Sequence, residues 1–314
     1  MKTLTVFTPT YNRAHTLART YDSLCRQTCK DFEWLVVDDG STDNTRELIQ
    51  RFIDEAIIPI RYIYKENGGL YTGYNIAYAN IETELSVCID SDDYMPDDAV
   101  TLIVKTWHER GTEQYAGIIG LDFYAGTDKP INGYFPDDMT ECWFLDLFIK
   151  HKRRGDSKHV MRTDLMKQVA PQIGFEGEKN FNPVYMLYQV CDERPLLVLN
   201  ENLCYVDYQQ NDSMSASIFC QYMDSPRSFA KLRLLEMNLK RNTLANRFRS
   251  AVHYVSSCLI AKEERWLKKT SYKILVFCAI PFGFLWYWVV LYKNKKNCCA
   301  YSLAERFSDN INCN

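Results

Sequence analysis

The amino-acid sequence predicts an α/β protein with a mostly parallel central sheet flanked by helices, followed by a C-terminal helical extension that associates with a membrane. Three observations predict it. Short apolar runs alternate with segments of helical period from Leu4 to Ile89, the pattern of crossover units in a parallel sheet. Each run ends in a polar loop, at the edge where such sheets bind ligands. Near the far end, Ile274–Tyr292 holds no charged residue and is rich in Phe, Trp and Tyr.

The first run, Leu4 to Thr8, reads as a buried strand stopped by Pro9, and Ala14–Thr28 sets Leu17, Tyr21 and Leu24 at helical spacing. Trp34–Val37 is a second strand, and Ser41, Thr42 or Asp43 can cap the helix carrying Leu48 and Phe52. Ile60–Tyr64 is a third strand. Asn67-Gly68-Gly69 then turns the chain into a helix that runs through Ala79. The fourth strand, Leu85–Ile89, runs into Asp90-Ser91-Asp92-Asp93. Further on, Leu196–Leu199 and Leu203–Val206 read as short strands, and a helix follows Val184 through Tyr188. Ile218–Lys240 and Leu244–Ile260 read as helices linking this half to the apolar segment.

Carboxylates crowded at a strand end repel one another, so their company needs a reason. A divalent cation supplies one: Mg²⁺ or Mn²⁺ is held by one or two carboxylates plus substrate phosphates. The plainer alternative is that Asp92 or Asp93 caps a helix starting at Pro96. The loops Thr8–Arg13, Asp38–Asp43, Lys65–Gly69 and Asp90–Asp93 all fall on the same edge of the expected sheet, which favours a ligand site.

The segments T-P-T-Y-N-R, V-V-D-D-G-S-T-D-N-T, E-N-G-G-L-Y-T-G-Y-N and D-S-D-D, in this order and spacing, resemble those of family 2 glycosyltransferases with the GT-A fold. The resemblance runs from Thr3 to about Met95. It implies a nucleotide-sugar donor, a diphosphate bridged by Mn²⁺ or Mg²⁺, and inversion at the anomeric carbon. Carried over, it puts Thr8, Pro9, Tyr11 and Arg13 around the nucleoside, with Asn67, Gly69, Asn75 and Ser91 also on the donor. It has Asp39 accept a hydrogen bond from a uracil or thymine N–H, Asp90 near ribose and metal, and Asp92 as the direct metal ligand. A carboxylate suits a base edge that offers an N–H. Asp38 reads equally well as a loop-bonding residue. One departure stands out, since the family often has Arg before the Asn and this chain has Tyr74 before Asn75.

An inverting transfer needs a carboxylate base for the acceptor hydroxyl. The family draws it from an acidic motif before a helix, and Phe175–Val184 resembles the E-G-E-K-F stretch of bacterial polysaccharide glycosyltransferases. Where those commonly carry a further acid, this chain has Asn182, Pro183 and Val184. Glu178 is then the first choice, Glu176 the second and Asp156 the third. Gln209–Ser215 resembles a loop that closes over the donor in related enzymes. His151, Arg153, Arg154 and His159 could assist a phosphate.

Composition narrows the partners. With 314 residues, 46% hydrophobic and 25% charged, the chain is globular, and the first strand starting near Thr3 leaves no signal peptide in view. Its 12 cysteines form no paired C-x-x-C clusters, so no zinc site is indicated and reduced thiols are expected. The net charge of −3 hides an imbalance: Arg227–Lys296 carries 15 basic and 3 acidic residues. So uncharged a stretch as Ile274–Tyr292 inside that basic region points to an anionic membrane rather than to nucleic acid. At 19 residues it is near the roughly 20 that span a bilayer, but Pro281 and Gly283 interrupt it and lysines flank both ends. A segment that dips in and returns, or lies in the interface, is the expectation, at the cytoplasmic face of the inner membrane near a glycan or lipid-linked acceptor. The division expected is residues 1–215 catalytic, 216–270 helical linker, 271–297 membrane-associating and 298–314 tail. Two other functions compete. One is a catalytically inactive nucleotide-sugar or glycan-binding module on the same scaffold. The other is a sugar nucleotidyltransferase, which should show a Gly-rich basic phosphate loop that Thr8–Arg13 lacks.

Overall fold

A computed structural model describes residues 2–153, 155–208 and 218–311, the last of these by backbone alone from residue 296. The chain forms two compact units, one of residues 1–173 and 183–208, the other of residues 174–182 and 209–314. The second unit thus claims a short piece, 174–182, from inside the stretch that the sequence assigns to the first.

In the first unit an eight-stranded sheet has the order β3-β2-β1-β4-β7-β5-β8-β6. Strands β1 (Leu4–Thr10), β2 (Phe32–Asp38), β3 (Ile60–Tyr64) and β4 (Leu85–Cys88) are parallel, as their near-continuous apolar runs require of strands covered on both faces. Alternation divides their side chains between two cores. Leu4, Val6, Trp34, Val36, Leu85 and Val87 pack on one face with α1 (Ala14–Cys25), α2 (Thr45–Glu55) and α4 (Ala99–Arg110). Phe7, Leu35 and Val37 pack on the other with α3 (Leu70–Asn80), α5 (Phe144–Ile149), α6 (Thr163–Val169) and α7 (Val184–Cys191).

Sequence periodicity finds β1 to β4 but not β7 (Ser157–Arg162), which inserts antiparallel between β4 and β5 (Gly117–Tyr124). Nothing local specifies that pairing. The two short strands expected near residue 200 are one, β8 (Leu196–Val206), whose register against β5 shifts around Leu121. A two-residue strand, β6 (Glu141–Cys142), closes the far edge.

The second unit is helical: α8 (Ile218–Asp224), α9 (Pro226–Asn238), α10 (Leu244–Ile260) and α11 (Lys273–Ile311). The single helix expected over Ile218–Lys240 is broken at Ser225, held at φ −136° and ψ 47°. A residue before proline avoids helical angles, and Pro226 is well placed to open the next helix. Conversely, α11 runs through Pro281 and Gly283 without reversing, so the dip-and-return expected from the sequence does not occur.

Candidate active site

At the carboxyl edge of the sheet the loops are tied to one another, each by a single side chain. Asn12, held at φ 53°, accepts the amides of Thr42 (2.8 Å) and Asp43 (3.3 Å) and donates its own amide to Ser41 Oγ (2.9 Å). Asp43 in turn accepts the Thr45 amide at the start of α2 and the Ala14 amide at the start of α1. Asp39 collects the amides of Gly68 (2.9 Å) and Gly69 (2.8 Å), the Asn67 side-chain amide and the Lys65 ammonium. Gly40 makes that approach possible: at φ +86°, a Cβ there would lie 2.8 Å from the Asn67 nitrogen. The Asn75 amide pairs with the backbone of Gln172, donating to its carbonyl (2.9 Å) and accepting its N–H (2.7 Å).

These ties revise several expected donor contacts. Thr8 is fully buried, and its hydroxyl accepts from Trp34 Nε1 (3.0 Å). Pro9 is buried too, against Gly73 on α3. Ser91 is buried, with its carbonyl accepting from Thr20. The polar groups of Asp39, Asn67, Gly69 and Asn75 are engaged by the protein itself, so they shape the loops. Of the nucleoside set, Tyr11 is 47% exposed and Arg13 half-buried, just before α1. Asp38, the buried last residue of β2, has the loop-bonding role, accepting from Tyr62 Oη (2.7 Å) and the Ser41 amide (2.8 Å). Tyr74, where the family often has Arg, packs edge-on against Phe7 (5.1 Å).

The acidic turn sorts its members by alternation. Asp90 is exposed and Asp92 half-buried, while Ser91 and Asp93 are buried. The helix-cap alternative fails, because α4 starts at Ala99 and Asp93 instead accepts the Asp207 amide (3.3 Å). Arg19 fixes the turn from the other side, bonding the Asp92 carbonyl and the Asp207 carboxylate (2.7 Å). The Asp92 carboxylate takes no hydrogen bond from the described residues, and no three potential ligands among them form a metal cage. Two outward carboxylates with the remaining positions left to a diphosphate fit a divalent cation.

Behind the turn, the Lys158 ammonium lies 3.8 Å from Asp122 on β5, with Asp93 and Asp90 within its electrostatic reach. Lys158 stays charged because these acids outweigh its burial. Burial raises Asp93 to about 8, Lys158 opposing and the neighbouring carboxylates adding to the rise. Burial likewise lifts Asp122 to about 7 against the pull of Lys158, helped by Asp156 and Asp90. One Asp122 oxygen has no hydrogen-bond partner. An unfolded Asp122 releases its proton near the ordinary value of 3.8 and the folded one near about 7, so its stabilising proton is lost as the pH rises between them. The melting temperature of metal-free protein therefore declines relative to Asp122→Asn over that range. Parallel melting curves for the two proteins would contradict the assignment.

The base candidates separate clearly. Glu178 caps α9: Oε1 accepts the Arg227 amide (3.0 Å) and Nε (3.1 Å), and Oε2 accepts the Ser228 amide (2.7 Å). Its side chain is 5% exposed. Free N–H groups in a first helical turn are what such a carboxylate satisfies, so Glu178 has a structural task at the start of α9. Glu176 is exposed in the same second unit, where its carbonyl accepts from Arg227 (2.9 Å). Asp156 belongs to the first unit. It is exposed, accepts Tyr208 Oη (2.5 Å), and lies within electrostatic reach of Asp90 and Asp122.

Two of the expected phosphate helpers do other work. Arg153 donates to the carbonyls of Gly133 and Tyr134 and stacks over Phe135 at 4.0 Å. His159 packs on Phe144 at 5.0 Å, and burial drops it to about 3, so it is uncharged. His151 is exposed. Arg154 and the Gln209–Ser215 loop lie outside the described residues. Asn12, Arg19, Asp122 and Lys158 are site residues that sequence reasoning missed. Asn12 sits inside a quoted motif, but the other three carry no local signal.

Comparison with known proteins agrees with the fold. An uncharacterized glycosyltransferase of Nostoc sp. is 32% identical over 130 residues, 41% of this chain and 39% of that protein, so the chain spans well under half of its length. S. aureus TarS 1-349, solved in complex with UDP-GlcNAc, superposes with a TM-score of 0.62 at 19% identity, covering 89% of this chain and 79% of that one. The mannosyltransferase PcManGT of Pyrobaculum calidifontis, solved with GDP-Man and Mn2+, gives 0.53 at 15% identity over 90% and 87%. Both likenesses are of fold. The glycosyl transferase family 2 model matches residues 5–165, which hold the three tied loops Thr8–Arg13, Asp38–Asp43 and Lys65–Gly69, the acidic turn and the Asp156–Lys158 stretch. That match covers a little over half of the 314 residues, and the chain belongs to glycosyl transferase family 2.

Proposed function

We propose that this chain is a metal-dependent, inverting glycosyltransferase that moves a sugar from a UDP- or dTDP-sugar to a glycan or lipid-linked glycan acceptor. Cell-surface polysaccharide synthesis at the cytoplasmic face of the plasma membrane is its proposed setting. The observation that carries this reading is the acidic turn: Asp90 and Asp92 turn outward at the carboxyl edge while Ser91 and Asp93 turn inward. Asp92 and Asp90 would hold Mn²⁺ or Mg²⁺, which, when bound, offsets the charge gathering on the departing diphosphate. PcManGT was solved with Mn2+, which supports a divalent metal here.

Asp156 is the proposed base. The acceptor hydroxyl oxygen bonds to the anomeric carbon from the face opposite the diphosphate, the carbon–oxygen bond to the diphosphate breaks, and the hydroxyl proton passes to Asp156. Tyr208 orients that carboxylate through its 2.5 Å hydrogen bond. The rival reading, an inactive binding module on the same fold, gains support from Pro183 where related stretches carry an acid and from the engagement of Glu178 as a cap.

Donor choice tests the proposal. Asp39 fixes the Asn67–Gly69 wall, and a uracil or thymine N–H would be read by an acceptor on the loops that Asp39 holds in place. Thermal shifts with Mn²⁺ should rank UDP and dTDP above GDP and CDP by about tenfold in affinity, the effect of roughly 1.4 kcal/mol from one mismatched polar contact. Asp39→Asn should erode the ranking. Equal shifts from all four nucleotides would remove the donor assignment.

A further inference from the structure

The apolar segment of α11 is long enough to cross a bilayer: Lys273–Lys295 has 23 residues, and an 18-residue window within it has a mean hydropathy of 2.3. Its packing argues for another arrangement. Val276, Ala279, Gly283 and Val290 are buried, with Trp286 half-buried between them, at the three- and four-residue spacing of one helical face. Ile274, Cys278, Pro281, Leu285, Trp288 and Tyr292 repeat the same spacing two residues out of phase, which puts them on the opposite face. That face is bare: Ile274 is 83% exposed, Leu285 65% and Trp288 57%.

The buried face is seated on α10. A Cβ at Gly283 would lie 2.5 Å from the Val255 Cβ and 3.0 Å from the Val252 carbonyl oxygen. On either side, Phe282 meets Phe248 (5.6 Å) and Trp286 meets His253 (5.0 Å). Gly283 lies near the middle of the apolar segment. A transmembrane α11 would therefore set that contact near the bilayer midplane and take His253 with it. It would also carry in Arg249 and the buried Arg233–Glu236 pair (2.6 Å), because the charges of Arg233 and Arg249 both bear on His253. Ionised groups on a lipid-embedded bundle are costly and rare. The exposed lysines give the same answer. Lys268 and Lys273 stand before the segment, and Lys293 and Lys295 after it, so crossing would carry one set to the far side.

We propose that α11 lies in the plane of an anionic membrane surface, its bare stripe in the acyl boundary and its opposite stripe on α10. In an ordinary interfacial helix water covers the second face. Here the protein's own helical unit covers it. The lysines at both ends then meet lipid phosphates, while Trp288 and Tyr292 sit at headgroup depth, which their amphipathic rings favour. The same packing means that cutting the chain before α11 would strip Val276 and Ala279 from the core of the helical unit, so point variants on the bare stripe are the better probe.

The test is flotation of the full chain with phosphatidylcholine vesicles, with and without phosphatidylglycerol. Wild type should float with the anionic vesicles and sink when salt is raised. The variant combining Ile274→Glu, Leu285→Glu and Trp288→Glu should stay at the bottom with an unchanged melting temperature. Lys293→Glu with Lys295→Glu, which touches no packed residue, should weaken flotation with anionic vesicles most. Tryptophan emission should be quenched more by lipids spin-labelled near the headgroup than by those labelled near the chain end. Stronger quenching by the deep label would mean a transmembrane helix and overturn the proposal. A wild type that ignores vesicles, or forms a soluble dimer split by the triple variant, would overturn it too. None of these readouts needs turnover, so they fail or succeed separately from the proposed transferase activity.

Discussion

Asp92→Asn should abolish most sugar transfer while leaving the fold intact. The substitution keeps the shape of the side chain and removes one of two outward carboxylates at the end of β4. No described residue donates a hydrogen bond to that carboxylate, so its loss leaves no stranded donor behind. Charge stabilisation of the diphosphate by a metal is worth several kcal/mol. About 4 kcal/mol of that corresponds to roughly a thousandfold in rate. Steady-state transfer with Mn²⁺ measures the loss, and EDTA should reproduce it in the wild type. Full activity in chelator would sink the metal-bridged mechanism.

The second large effect separates two carboxylates that look alike in the sequence. Asp156→Asn should lower kcat by about 10²–10⁴-fold, the usual contribution of a general base, with donor affinity nearly unchanged. Glu178→Gln should do the reverse. It weakens charge-assisted hydrogen bonds to the start of α9, a loss of roughly 1–3 kcal/mol that appears as a lower melting temperature. Assays of kcat, donor affinity and melting on both variants decide the matter. If Glu178→Gln loses its rate while its melting stays put, the cap reading is wrong. If neither variant loses rate, the inactive binding module becomes the better account.

The sequence by itself determined the strands β1 to β4, their polar loops and the acidic turn. It could do so because each is written locally: an apolar run long enough for one strand, then residues that favour turns. It also fixed the unusual chemistry of Ile274–Tyr292, since absence of charge is a local property. Tertiary structure decided what those residues do. β7 enters the sheet antiparallel between β4 and β5, and that pairing brings Lys158 and Asp156 to the acidic turn. Asn75 finds its partner 97 residues away at Gln172, and Glu178 finds Arg227 49 residues away. Asp39, singled out as a reader of the base, is filled by the loop at Asn67–Gly69. A carboxylate's role depends on which donors surround it, and those donors come from distant parts of the chain. Likewise α11 has the composition of a membrane helix, but only its seat on α10 at Gly283 decides which of its faces is covered and which stays exposed.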